Sequence, residues 1–437
     1  MRKKLLIFLT ISMLLLCSCS FGFDVNDAII SPKPSGEFYD IQQTLEKYAG
    51  QSVRLVYPLK GEFRSPIILR DVDKDGKDEA FSFYSTVTDE NTSVLHINFI
   101  RWFNNEWVSV SDIEVVGSGV ESVQFETLDD SGIAKIIVCW SRFSDVDRHF
   151  SVFSVDKGIM SEVLSADYSV LTTSDFDNDG KKEIAAVYLD REAKTATASL
   201  LSLSESGLTV TSTCELDGTV TGYYEPKISH LTDGSEALFI DAQKSTGVIT
   251  EVIYIKDNKL VNAFASKKGK VTENLKTLRV STVMCDDYDN DGSIDIPLAQ
   301  KLPLTLGMSE SDAVYLTIWN RFDGKELIPF AQSLINYTDG YYFNVPDAWV
   351  GEFTVLRRLN SKQRIIYRWD SETAEIGEEI MRIQLVSKNE WNDSWSNYEQ
   401  YFEIGRNADY VYAVRFGNSA LNPGTRFVTD NFGLLEE

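Results

Sequence analysis

The stretch Asp175-Phe176-Asp177-Asn178-Asp179-Gly180-Lys181-Lys182-Glu183 decides how this chain is read. Acids stand at its first, third, fifth and ninth positions, and glycine at its sixth. Calcium takes roughly six to eight hard oxygen ligands, which a flexible carboxylate loop supplies. A glycine at the sixth position takes a sharp turn that a side chain would obstruct. The pattern recurs at Asp71-Val72-Asp73-Lys74-Asp75-Gly76-Lys77-Asp78-Glu79 and at Asp287-Tyr288-Asp289-Asn290-Asp291-Gly292-Ser293-Ile294-Asp295. One Asp-Gly turn would be turn chemistry alone. Three loops with four matched acids each point to metal.

A calcium-binding helix-loop-helix needs a carboxylate at loop position twelve. Ser82, Ala186 and Leu298 occupy that position here, so these loops are not of that kind. Each loop is followed by a β-branched or aromatic run that suits a strand. The unit is therefore strand, acidic loop, strand, then a hairpin of two further strands. In the first unit the strands are expected over 66–69, 80–84, 94–102 and 107–110, after an earlier strand at 53–58. In the third they fall over 168–172, 184–189, 196–203 and 208–213. In the fifth they fall over 278–284, 294–299, 314–319 and 327–330.

Two degraded copies lie between these, at 125–132 and 228–234. Both keep a turn glycine, Gly132 and Gly234, but lose the ladder of aspartates. Neither is expected to hold metal. Turns thus start near residues 71, 129, 175, 233 and 287, about 54 residues apart on average. Four strands in a unit of that length make a propeller blade rather than a helical solenoid. The expected fold is mainly β: a β-propeller of about five four-stranded blades over 37–335, with Asp-rich calcium loops. After residue 335 the acidic loop disappears. Trp391, Trp395, Tyr398 and Phe402 then recur at helical spacing. Residues 336–437 are accordingly expected to form a small α+β domain, with a last irregular blade as the alternative.

The first residues speak to location. Arg2, Lys3 and Lys4 precede an apolar run from Leu5 to Leu16, too short for a comfortable membrane span. Leu16-Cys17-Ser18-Cys19 resembles a bacterial lipobox, with Cys19 as the lipidated residue. Residues 1–18 are then a lipoprotein signal peptide, and 19–36 a flexible tether. The expected location is extracytoplasmic, with the membrane as partner through the lipid anchor. The chain has a formal charge of −24, and without residues 1–18 it carries 39 Lys plus Arg against 66 Asp plus Glu. That balance excludes nucleic acid as a natural partner. Cys139, Cys214 and Cys285 sit at or beside apolar runs and are expected as buried free thiols.

The loops resemble those of FG-GAP or VCBS-type repeats, the calcium-bearing propeller blades of integrin α heads and many bacterial surface proteins. The resemblance covers residues 60–335, and is specific at three loops. Position by position it implies one calcium site at Asp71, Asp73, Asp75 and Glu79. It implies a second at Asp175, Asp177, Asp179 and Glu183, and a third at Asp287, Asp289, Asp291 and Asp295. Lys77, Lys181 and Ser293 would add backbone carbonyls.

No nucleophile elbow or Gly-rich phosphate loop appears in the sequence, and His96, His149 and His230 lie in separate units. His96 is read as a packed residue, and most tryptophans as core. The chain is therefore expected to bind or scaffold a protein or glycan rather than to catalyse. The alternative is a polysaccharide hydrolase or lyase, because two carboxylates at a set separation suffice for glycoside hydrolysis.

Overall fold

Antiparallel sheets of four or five strands follow one another along the chain. The computed structural model describes residues 36–50, 53–87, 93–115, 117–141, 148–204, 207–310, 312–358 and 362–435. The expected signal peptide and Cys19 lie outside the described residues. Contacts divide the chain into two compact units. One comprises Met1–Tyr57, Ser65–Val116 and Gly158–Met160. The other comprises Pro58–Arg64, Gly117–Lys157 and Ser161–Glu437.

The first unit holds the first sheet, a meander of Ile67–Arg70, Glu79–Val87, Ser93–Phe103 and Glu106–Val115. Arg54–Leu55 pairs with the far end of Glu79–Val87, on the edge that Ile67–Arg70 also uses. The last hairpin turns at Asn104 and Asn105, with φ of 50° and 67°. Asparagine tolerates these left-handed values, which match strand twist in a two-residue turn. Helix α1 (Glu37–Ala49) sinks Ile41 and Leu45 into a core with Ile67, Ala80, Tyr84, Ile100 and Trp107.

In the second unit the plan repeats. The second sheet runs Gly119–Glu126, Lys135–Ser141, Arg148–Asp156 and Ile159–Tyr168. The third runs Val170–Ser174, Glu183–Asp190, Thr195–Ser204 and Gly207–Leu216. In the fourth, Gly222–Tyr223 and Lys227–His230 share one edge of Glu236–Lys244, followed by Gly247–Lys256 and Lys259–Asn262. Lys135–Ser141 is buried at every residue but the last. A strand that reads apolar on both faces is covered on both faces.

The shared cores show what covers them. Ile137 and Phe150 of the second sheet pack with Ile184 and Leu201 of the third. Val187 and Leu200 of the third pack with Ile240 and Ile253 of the fourth. Phe239 and Val252 of the fourth pack with Ile296 and Phe322 of the fifth. From the second sheet to the fifth, each thus stacks on the next in chain order, as propeller blades do.

Three expectations change. The strand expected over 278–284 is not formed, apart from a single bridge between Val248 and Arg279. This segment is held by a buried network instead. The Arg279 guanidinium donates to Asp241 Oδ1 (2.7 Å), Thr250 Oγ1 (3.0 Å) and the Val283 carbonyl (2.5 Å). Cys285 N donates to Asp241 Oδ2 at 2.8 Å.

The second change concerns 336–437, which does not stand apart as an α+β domain. Leu327–Asn336 pairs with Tyr341–Asn344 across the expected boundary, and Tyr341–Asn344 pairs with Phe432–Leu434. The fifth sheet is therefore Ile296–Lys301, Tyr315–Phe322 and those three strands. A sixth sheet contains Phe353–Arg358, Gln363–Asp370, Glu375–Ser387, Tyr410–Phe416 and Phe402–Arg406. It shares a core with the fifth through Phe343, Trp349, Val355 and Ile366. Third, the aromatic stripe at 391–402 makes only a short helix, α2 (Lys388–Asp393), a 3₁₀ turn at Trp395–Asn397, and a strand containing Phe402. Ser387 caps α2 by accepting from Glu390 N, and Trp391 and Tyr398 close a small core.

Arg279→Met should cost about 3–5 kcal/mol, because it leaves the Asp241 carboxylate buried without its charge partner. Urea denaturation measures this. The double variant Arg279→Met/Asp241→Leu should recover much of the loss.

Candidate metal centres

The 287–295 loop leads into Ile296–Lys301, the first strand of its sheet, while the loops at 71–79 and 175–183 each leave an edge strand and return into the second strand. The ninth acid is the first residue of that strand in the first and third sheets: Glu79 faces Arg70, and Glu183 faces Ser174. In the fifth sheet Asp295 forms a bridge with Asp286 at the matching place. The ninth acid ties the loop shut. Glu79 Oε2 accepts from Val72 N (3.1 Å), Glu183 Oε2 from Phe176 N (2.9 Å), and Asp295 Oδ2 from Tyr288 N (3.1 Å).

The remaining acids are oriented by the loop's own amides. Gly76, Gly180 and Gly292 have φ between 85° and 89°, and their N–H groups donate to Asp71, Asp175 and Asp287 at 2.9–3.0 Å. Lys77, Lys181 and Ser293 donate their N–H groups to the fifth-position aspartates. Their carbonyls were the expected backbone ligands. With those oxygens fixed, carboxylate oxygens of Asp71, Asp73 and Glu79 lie within 4.8 Å of one another. The same holds for Asp175, Asp177 and Glu183, and for Asp287, Asp289 and Asp291. All three clusters could hold a metal ion.

Two observations test that fit. The donors are all oxygen, the set that hard cations select. Moreover, Asp71 Oδ1 and Asp295 Oδ1 are buried without a hydrogen-bond partner. A buried carboxylate oxygen left in this state is stabilised by a cation.

Crowding shows in the protonation of these groups. Burial pushes Glu183 up to about 7, and Asp177 adds to the rise against the Phe176 amide. Burial likewise raises Glu79 to about 7 and Asp295 to about 6, each helped by neighbouring aspartates.

The clusters are not equivalent. Arg101 reaches the first, 2.7 Å from Asp73 Oδ2 and 3.6 Å from Asp75 and Glu79 oxygens. Arg321 reaches the third, touching Asp289, 2.7 Å from Asp291 and 3.7 Å from Asp295. Both arginines lie one residue past Ile100 or Asn320, where the pairing resumes beyond a bulge. In the third sheet that place is Ser202. The 175–183 cluster therefore has no arginine against it.

The degraded copy in the second sheet keeps the same frame, for Glu126 faces Lys135 as Arg70 faces Glu79. Lys135 thus replaces the ninth acid, and its ammonium lies 3.6 Å from Asp129. A resident cation stands there instead of a carboxylate. In the fourth sheet the loop from His230 to Glu236 is shorter, and Asp233 accepts only from the Ser235 amide and hydroxyl.

Two polar groupings were missed in the sequence because their members come from different strands. In the first unit His96 is stacked on Tyr84 at 4.6 Å, with Nδ1 3.0 Å from Asp112 and Nε2 3.0 Å from Thr86 Oγ1. In the second unit a cavity of about 390 Å³ is lined by Lys60, Arg148, Tyr168, Tyr223 and Glu225 among others. The Lys60 ammonium lies 3.0 Å from Glu121 and 2.7 Å from Glu225, and the Tyr168 hydroxyl donates to Glu121 at 2.8 Å. Cys139 and Cys285 are buried free thiols, and Cys214 is half-buried and free.

No protein-family model matches the chain, and no curated protein matches it. Among solved structures it has some likeness to rhamnogalacturonan lyase YesW, at 13% identity and a TM-score of 0.30, over 74% of this chain and 84% of that one. A rhamnogalacturonan lyase of Bacillus licheniformis gives 10% identity and a TM-score of 0.31, over 74% and 90%. The Dos1 propeller gives 9% identity and a TM-score of 0.25, over 79% and 80%. Likeness at this level establishes neither a shared activity nor a common ancestor.

A carboxylate raised on folding favours the native state below its unfolded value and loses that contribution as pH rises through its folded value. Glu183→Gln should therefore be more stable than the metal-free wild type at pH 8, with the gap closing by pH 5. Thermal melts in chelator at the two pH values check this.

Proposed function

We propose that this chain is a bacterial surface lipoprotein, lipidated at Cys19, whose calcium-stabilised β-propeller binds or scaffolds a protein or glycan partner. The observation that carries the calcium part is the buried, partnerless oxygen of Asp71, which stands in a cluster with Asp73 and Glu79. The bond from the ninth acid to the second-position amide places each cluster at the base of its sheet, where a cation would join one strand end to the next. Calcium there is a fastener. Extracellular modules work with dissociation constants near roughly 10⁻⁴–10⁻³ M, which suits a cell-surface setting.

Recognition then falls to other surfaces, and the Lys60 cavity is one such surface. Its carboxylates bear on the second reading, a polysaccharide hydrolase or lyase. Glu121 and Glu225 flank one ammonium, and paired carboxylates are the tools of glycoside hydrolysis. A general acid needs a raised value, however. Burial would raise Glu121, but hydrogen bonds from Tyr168 and Lys60 and the charge of Arg148 bring it below the usual range. Glu121 is thereby suited to hold cations and hydroxyls in place. Binding is favoured over turnover.

Two experiments test this reading. Calcium should raise the melting temperature of chelator-treated protein, through a stabilisation of about 2.7 kcal/mol per site at a concentration ~100-fold above Kd. Arg101→Gln should tighten the first site and leave the 175–183 site unchanged. An unmoved melting temperature at millimolar calcium would refute the fastener. In the second experiment the purified protein is applied to immobilised acidic and neutral glycans. Retention without product release is expected, and turnover abolished by Glu121→Gln would establish the hydrolase or lyase.

A further inference from the structure

A second cavity of the larger unit, about 290 Å³, is lined by no residue of the acidic loops. Arg357 and Arg364 stand directly opposite each other across its wall, on neighbouring antiparallel strands. Like charges so placed destabilise a strand pair unless something neutralises them. The pair continues the row of Val355 and Ile366, both in the core, which draws the two side chains inward. Water screens them less there than on an open sheet face.

The protein supplies little to offset this. Arg364 has an amide oxygen of Asn336 at 3.3 Å and the Asp339 carboxylate at 3.6 Å. Asp339 also accepts from Asn336 Nδ2 at 2.8 Å. Burial pulls Arg364 below its ordinary value, and the Arg357 charge adds to this. Arg357 Nε is buried with no hydrogen-bond partner, and so is Ser281 Oγ, which lines the same cavity. The nearby acid on the lining, Glu310, is engaged by Lys301 at 2.7 Å and by the Tyr315 hydroxyl. In a chain with 66 acids and 42 bases, two arginines held together with only the Asp339 carboxylate, 3.6 Å from Arg364, described against them require a reason.

We infer that this cavity binds a small organic carboxylate, whose oxygens bridge Arg357 and Arg364 and accept from Ser281 Oγ. Guanidinium groups match a planar carboxylate with paired N–H donors, and Arg357 Nε and the Ser281 hydroxyl gain the partner they lack. The remaining wall mixes aliphatic side chains, Val280, Val314 and Ile335, with the hydroxyl-bearing Thr282, Thr317 and Tyr337. That wall suits a hydroxylated carbon skeleton better than the additional oxygens of a tetrahedral dianion. The assignment holds whether or not the propeller has a glycan partner.

Calorimetric titration of the full chain with glucuronate tests it, with glucose and inorganic phosphate in parallel. Glucose differs from glucuronate only in carrying a hydroxymethyl group in place of the carboxylate. Saturable glucuronate binding is expected, with glucose silent and phosphate at least roughly tenfold weaker. Arg357→Met should weaken glucuronate by at least roughly tenfold. Without ligand it should melt no lower than wild type, because it relieves the repulsion. Absent glucuronate binding, equal binding of glucose, or tighter binding of phosphate would each overturn the assignment. So would an Arg357→Met variant that is destabilised yet binds glucuronate as wild type does.

Discussion

Everything about the three loops depends on one hydrogen bond, from the second-position amide to the ninth-position carboxylate. It fastens the far side of the turn to the start of the next strand, at 3.1 Å in two loops and 2.9 Å in the other. The same bond carries an acid inward, to 2% exposure for Glu79, 3% for Glu183 and none for Asp295. Once there, the acid faces its loop's aspartates and cannot ionise freely. The structural device that shapes the turn thus creates the demand for positive charge. The protein meets that demand in different ways along the chain: arginine beside the first and fifth-sheet clusters, and lysine in place of the acid in the second sheet. Among the described residues the 175–183 cluster has neither, and the Lys181 ammonium stands 3.9 Å from its Asp179.

The loops were legible because their chemistry is local: nine consecutive residues contain the acids, the glycine and the spacing. The strands after them were legible for the same reason, and in the three units with acidic loops the strands that follow the loop start within a few residues of expectation. What escaped was long-range. Arg101 enters its cluster from the third strand of the first sheet and Arg321 from the second strand of the fifth, each more than 20 residues past the loop. No local pattern connects them. Lys135 was visible as a residue, but its position as the counterpart of Glu79 emerges only from strand register.

The errors share a cause as well. Residues 278–284 look like a strand because apolar and polar residues alternate there, yet Arg279 is 1% exposed and ties the segment down with side-chain bonds. The loss of the acidic loop after residue 335 reads as the end of the repeat. Strand pairing does not need the loop, however. Leu334 and Phe343 are cross-strand partners over that boundary and enter one core. The aromatic stripe at 391–402 has helical spacing, but Phe402 belongs to a strand paired with Tyr410–Phe416. Periodicity over so few residues does not separate a helix from a turn joined to a strand.

Calcium stoichiometry tests the account most directly. Equilibrium dialysis of the metal-free chain at pH 8, carried to saturating calcium, should give three bound ions per chain. Replacing the ninth acid of one loop by its amide should remove one of them. No bound calcium, or a count unchanged by that replacement, would contradict it.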